Sequence, residues 1–229
     1  MLSVLSVVDG RIVAAATLSV LAVVVTSGLA GRHQSEAIGQ ALDRLAAASD
    51  RPVGAERFLA TRMPALDADA AVAADIRLVG VTLTRTVRDL LPVLERRLAA
   101  GARVRVLLID TDSGAKVEAV ARSRKADAVG FYQNRVTATS QLLRVLASAA
   151  PYNDGLQLRL LPFVPAFGMC LIDPDEQHGR IHVEIYQHRT LAADPAFTLN
   201  ADRDGHWYAL FRDQFDTMWE SGRPVTLTG

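Results

Sequence analysis

The side chains best suited to proton transfer or metal binding crowd one short stretch, where His178, His182, Glu184 and His188 fall within a dozen positions. His182, Glu184 and His188 are separated by even numbers of positions, two and then four. In an extended strand alternate residues point the same way, so a regular strand puts all three on one face. A histidine–glutamate–histidine set on one face could serve hydrolysis or ligate zinc. The same pattern describes the polar outer face of an edge strand. Surface histidines far outnumber ligand histidines, so no metal site is expected. His206 reads as a surface residue at a helix start. Asp173, at the end of an apolar run, is the remaining catalytic candidate. A second cluster, Asp110, Asp112 and Ser113, follows another apolar run. In open α/β sheets the carboxyl ends of strands are where ligands bind, which makes these three candidate ligand-binding residues. Asp and Ser are also ordinary turn and helix-cap residues, and a cap with a turn is the preferred reading.

The elements that must position these groups follow from the apolar pattern. Residues 76–83 are a short β-branched run and read as a buried strand. Residues 84–100 read as a helix, with Val87, Leu90, Leu91, Leu94 and Leu98 on one side. Pro92 cannot donate there, so a kink or a start just before it is expected. Gly101 ends the helix. Residues 104–109 form a second strand, and strand–helix–strand with a short return implies a parallel pair. Helices are expected over residues 115–126 and 131–149, and a third strand over 156–161. Residues 163–187 read as two strands joined by a polar turn. Residues 190–200 read as loop, broken by Pro195. Asp204 or Gly205 opens a last helix whose apolar stripe is Trp207, Leu210, Phe211, Phe215, Met218 and Trp219. Large aromatics dominate that stripe, so this helix is expected to close the core.

Three features together resemble the phospholipase D superfamily. One is the opening strand and helix followed by LAAGARVRVLLIDTDS at residues 98–113. The second is a strand ending in Ile172-Asp173 before a polar turn. The third is a closing helix with FRDQFDTMW at residues 211–219. The resemblance covers residues 75–223 and implies an α/β fold, an α/β/α sandwich around a mixed sheet. The family's catalytic motif is His-x-Lys-x4-Asp, and Asp173 aligns with its aspartate. The histidine position then holds Ala166 and the lysine position Gly168. In catalytic relatives the histidine attacks phosphorus and the lysine neutralises the phosphate. Two such motifs meet at one site, so a chain of this length would dimerise. A methyl group cannot form the covalent intermediate, and glycine cannot hold phosphate. If the turn pairs Asp173 with Arg180, His182 lies opposite Leu171 and Glu184 opposite Met169. The motif face is then lined by Cys170, Val183, Ile185 and Gln187. A register slip of one residue would reverse this.

The chain has 229 residues, half of them apolar, and a formal net charge of zero. Its length allows one compact domain plus an appendage. Neutrality argues against a general nucleic-acid binder, which needs a basic face along the phosphates. A single cysteine, Cys170, excludes an intrachain disulfide and fits a reducing compartment. Residues 12–30 carry no charge and are long enough to span a bilayer as a helix. A membrane anchor is the preferred reading. A signal peptide cut after Ala30 and a buried core helix are the alternatives. The first ten residues lack Lys and Arg, unlike a signal peptide, and the segment lacks a polar face. Arg32, Arg44 and Arg51 follow the span, which favours a single-pass protein with a cytoplasmic main domain. Residues 34–49 read as a helical stalk whose apolar stripe allows self-association. Residues 50–54 break it, and a short helix around 55–63 leads in. The expected organisation is an anchor segment at 1–31, a stalk and linker at 32–74, and an α/β domain at 75–229. The expected function is a membrane-anchored, non-catalytic domain that senses a ligand, binds a partner or oligomerises, with no cofactor. The alternative is a phosphodiesterase- or nuclease-type hydrolase built on His182, Glu184 and His188.

Overall fold

A computed structural model describes residues 54–229, apart from 124–127, 150–154, 191, 228 and 229. The expected span at 12–30 and the stalk at 34–49 lie outside the described residues. No helix among the described residues is long and apolar enough to cross a membrane. The compact unit runs Ala55–Gly229.

The elements in chain order are a 3-10 turn at Ala55–Arg57, α1 (Asp67–Ala70), β1 (Asp75–Val79), α2 (Thr84–Ala99), β2 (Arg103–Ile109), α3 (Gly114–Arg122) and α4 (Ala128–Ala149). They continue with β3 (Leu156–Leu161), β4 (Phe167–Ile172), β5 (Arg180–Ile185), β6 (Ala196–Asn200), α5 (Gly205–Ser221) and β7 (Arg223–Val225). The strands make one mixed sheet in the order β6-β5-β4-β1-β2-β3-β7. β1, β2 and β3 run parallel, because helical crossovers join them. β4, β5 and β6 add antiparallel pairs on one side and β7 does so on the other. The class is therefore α/β with a mixed seven-stranded sheet.

Alternation along each strand builds two cores. Ile76, Leu78, Val104, Val106, Leu108 and Cys170 face α2, α3 and α4. Val79, Leu107, Leu161, Met169, Leu171 and Val183 face α5. Each fully buried side chain of this size contributes about 1.5–3 kcal/mol. Pro92 sits inside α2 without ending it. Its ring is on the exposed side, so the carbonyl that loses its donor meets water. Under α5, the buried guanidinium of Arg77 pairs with Asp75 at 2.9 Å, with Asp216 at 3.2 Å and with Asp175. Phe215 packs its ring on the same group.

Three local expectations are corrected. Residues 196–200 are a strand rather than loop. β6 pairs with β5, and Phe197 and Leu199 are set against the α5 core. Five residues are too few to show a period next to Pro195. The stripe of α5 is rotated: Trp207 is 60% exposed and Leu210 43%, while Tyr208, Phe215, Met218 and Trp219 are buried. The Tyr208 hydroxyl donates to Pro174 O at 3.1 Å and fixes that rotation. Around 55–63 only the 3-10 turn is helical. Beyond it the chain extends, and Ala60 bridges to Ala196.

A candidate ligand cleft beside the central hairpin

The hairpin of β4 and β5 differs by one residue from the expected register. Ile172 pairs with Arg180, Cys170 with His182 and Gly168 with Glu184. The reason lies in Asp173. Its backbone sits in the left-handed region at φ 44°, which aspartate tolerates better than most residues. Its carboxylate turns away from the hairpin to accept the amides of Ala74 at 2.7 Å and Asp75 at 2.8 Å. Asp173 thus serves the entry of β1, and the ladder starts one residue earlier. Two successive turns, Glu176 N to Asp173 O and Gly179 N to Glu176 O, complete the reversal. At Gly179 a Cβ would lie 2.2 Å from the Tyr208 hydroxyl, so only glycine fits. The shift places His182, Glu184 and Tyr186 on the face of Ala166 and Gly168. Val183 and Ile185 take the opposite face, with Val183 buried under α5.

The candidate residues are held in different ways. His182 is buried, and both its ring nitrogens are engaged. Nε2 lies 3.2 Å from Asp69 Oδ2 and Nδ1 lies 2.9 Å from the Thr198 hydroxyl. A neutral ring satisfies both by donating to Asp69 and accepting from Thr198. Burial pushes this imidazole below the ordinary histidine range, against the pull of the Asp69 carboxylate. Glu184 shares its face two residues on. Burial, reinforced by the Asp194 charge, raises its carboxyl above the usual range, and Arg85 opposes the rise. His188 lies past the end of β5 and is exposed. His178 is exposed, 3.8 Å from Asp173. His182 and Glu184 are therefore brought to one face, while His188 stays outside the strand that carries them.

Asp110, Asp112 and Ser113 are bound up with their own loop. Asp110 Oδ1 accepts the Asp112 amide at 3.0 Å and Oδ2 holds Arg223 at 2.8 Å. Ser113 Oγ donates to Asp110 O at 2.8 Å and accepts the Ala115 amide at 3.1 Å, capping α3. Among the described residues no three His, Cys, Asp or Glu side chains converge to hold a metal. Burial pushes the Cys170 thiol up to about 12, so it is protonated and inert.

The space at the motif face belongs to Tyr186. A Cβ on Gly168 would lie 2.5 Å from the Tyr186 hydroxyl and 3.0 Å from its ring. A Cβ on Gly80 would lie 2.8 Å from the same hydroxyl. Tyr186 thus seals the wall between β1 and β4. Beside it lie two adjoining hollows of about 440 and 450 Å³. Arg62 and Met63 form one side, and Arg85, Thr86 and Glu184 line both hollows. Arg135, Tyr186 and Asp194 extend the second. Sequence reasoning reached Glu184 but not Tyr186, Asp69 or the arginines, which are far apart in sequence and carry no motif.

No protein-family model matches the sequence, and no curated protein does. Among solved structures the chain is similar to TrmBL2, an archaeal chromatin protein described as showing a novel mode of DNA binding. The TM-score is 0.43 at 14% identity, over 98% of this chain and 76% of that one. It is also similar to Nuc, a phospholipase D family member from Salmonella typhimurium. There the TM-score is 0.44 at 13% identity, over 73% of this chain and 97% of that one. At these scores neither likeness fixes a family.

Proposed function

We propose that this chain is a membrane-anchored, non-catalytic phospholipase D-like domain that binds a ligand in the cleft beside Tyr186. The anchor is residues 12–30, the domain stands on the cytoplasmic side, and self-association is compatible with the stalk at 34–49. One observation carries the reading: the Tyr186 ring fills the room that a side chain at Gly168 would need. In catalytic relatives that position is the lysine that neutralises phosphate. Here no lysine stem could leave the backbone without displacing the half-buried Tyr186 ring. Ala166, in the nucleophile's place, offers only a methyl group. The cleft that remains is lined by side chains of both charges and suits recognition rather than covalent chemistry.

The hydrolase reading at His182, Glu184 and His188 needs a histidine nitrogen free to meet substrate. His182 has none: one nitrogen faces Asp69 and the other Thr198. The purified full chain, assayed against a chromogenic phosphodiester and a labelled oligonucleotide, is expected to give no turnover above background. Turnover that disappears in His182→Ala overturns the non-catalytic reading.

A further inference from the structure

The wall of the cleft that carries Arg62 and Met63 is not part of the sheet or of a long helix. It is a strap, residues 55–74, the segment that follows directly on residues 1–54. Between the Ala60 bridge and α1 it forms neither helix nor strand. At its far end the Ala74 amide donates to Asp173 Oδ1 and the Ala74 carbonyl accepts from Arg103 N. Ala60 exchanges two backbone hydrogen bonds with Ala196, at 2.6 and 2.8 Å. Leu66, Ala70 and Ala73 sit in the core against α2, and Arg97 Nε donates to Ala73 O at 2.7 Å. Among the described residues, the side chain tying the strap to β5 is Asp69. Its Oδ1 takes Arg180 at 2.5 Å and its Oδ2 takes His182 at 3.2 Å. α1 is only four residues long and has no side-chain cap, so it adds little rigidity of its own.

Resting on the ligand-cleft reading above, we propose that the strap is a lid and Asp69 its latch. With Asp69 seated between His182 and Arg180, residues 62–67 stand opposite Arg85, Thr86 and Leu90 and narrow the cleft. With the latch released, that wall swings on its bridge at Ala60 and its anchor at Ala70 and the cleft opens. A ligand that fits the closed cleft would in turn hold the latch shut, as linkage requires.

The test uses the full chain carrying Thr86→Cys as a reporter inside the cleft, since Cys170 is buried and unreactive. Maleimide labelling at Thr86→Cys is timed with and without Asp69→Ala, and amide exchange is read in parallel. Losing a charge-assisted pair is expected to speed labelling about tenfold. Exchange at the Ala70 and Ala71 amides, whose acceptors Leu66 O and Asp67 O belong to the moving wall, should rise with it, while the Ala60 bridge and the amides of β1 and β4 keep their protection. Arg180→Gln, which removes only the exposed partner, should give the same pattern more weakly and leave the fold intact. Unchanged labelling in both variants overturns the proposal. So does a uniform rise in exchange across the sheet, which would make Asp69 a pin for the whole fold. A maleimide needs no cognate ligand, so these outcomes are independent of phosphodiesterase turnover, on which the ligand reading itself fails.

Discussion

Single atoms decide what the motif face can do. Because the Tyr186 ring stands where a Gly168 side chain would go, Gly168→Ala should cost about 1–3 kcal/mol by overpacking. Adding Tyr186→Phe removes the nearest clashing atom, so the double variant should recover part of that loss in urea denaturation. A simple sum of the two single losses would show that they do not meet. Glu184 gives the pH test. Its folded-state carboxyl is raised above the ordinary 4.5 by burial first and by Asp194 second. The folded chain therefore holds this proton more tightly than the unfolded chain does. That contribution is fully present below pH 4.5 and is lost as pH rises through the raised value. Glu184→Gln should match the native chain in thermal stability at acid pH and exceed it at neutral pH. Equal melting curves at both ends would show that Arg85 cancels the burial. His182, Glu184 and Asp173 could all be picked out by residue type alone. Their roles could not, since each depends on a partner about a hundred positions away or on a neighbouring strand.

At the level of elements, the hairpin and β1 are coupled through one carboxylate. Asp173 ends β4 and accepts both amides at the entry of β1, so it settles the register of one strand pair while capping another. Asp173→Ala removes the Oδ1 that accepts both amides and puts alanine at a positive φ. It should destabilise the domain by about 2–4 kcal/mol in chemical denaturation. Asp173→Asn keeps an acceptor and tolerates the left-handed backbone, so its loss should be about half as large or less. Equal losses in the two variants would mean that charge alone matters. Strand–helix–strand over residues 75–109 was legible because local runs of Val, Ile and Leu are enough to mark buried parallel strands. β6 was not, because five residues next to a proline carry no period. The rotation of α5 was not legible either. Both Trp207 and Tyr208 fit an apolar stripe, and the choice rests on a hydrogen bond from Tyr208 to a turn made by residues 173–179.

For the molecule as a whole, the uncharged run at 12–30 makes the largest claim. An anchored chain should remain with membranes after a carbonate wash, and a soluble product beginning at Gly31 would replace the anchor with a cleaved leader. The apolar runs, the absence of charge over that span, and the alanine and glycine at positions 166 and 168 needed no coordinates. Each is a property of adjacent residues, and burial or bilayer insertion acts on such runs whatever surrounds them. The one-residue register of the hairpin, the filling of the space beside Gly168 by Tyr186, and the lining of the cleft by residues 62–67 belong to the folded chain alone. Pairing register has a period of two, and its sign is set by where Asp173 finds its hydrogen bonds across the sheet. No run of neighbouring residues encodes that choice, because the competing arrangements differ only in contacts between distant parts of the chain.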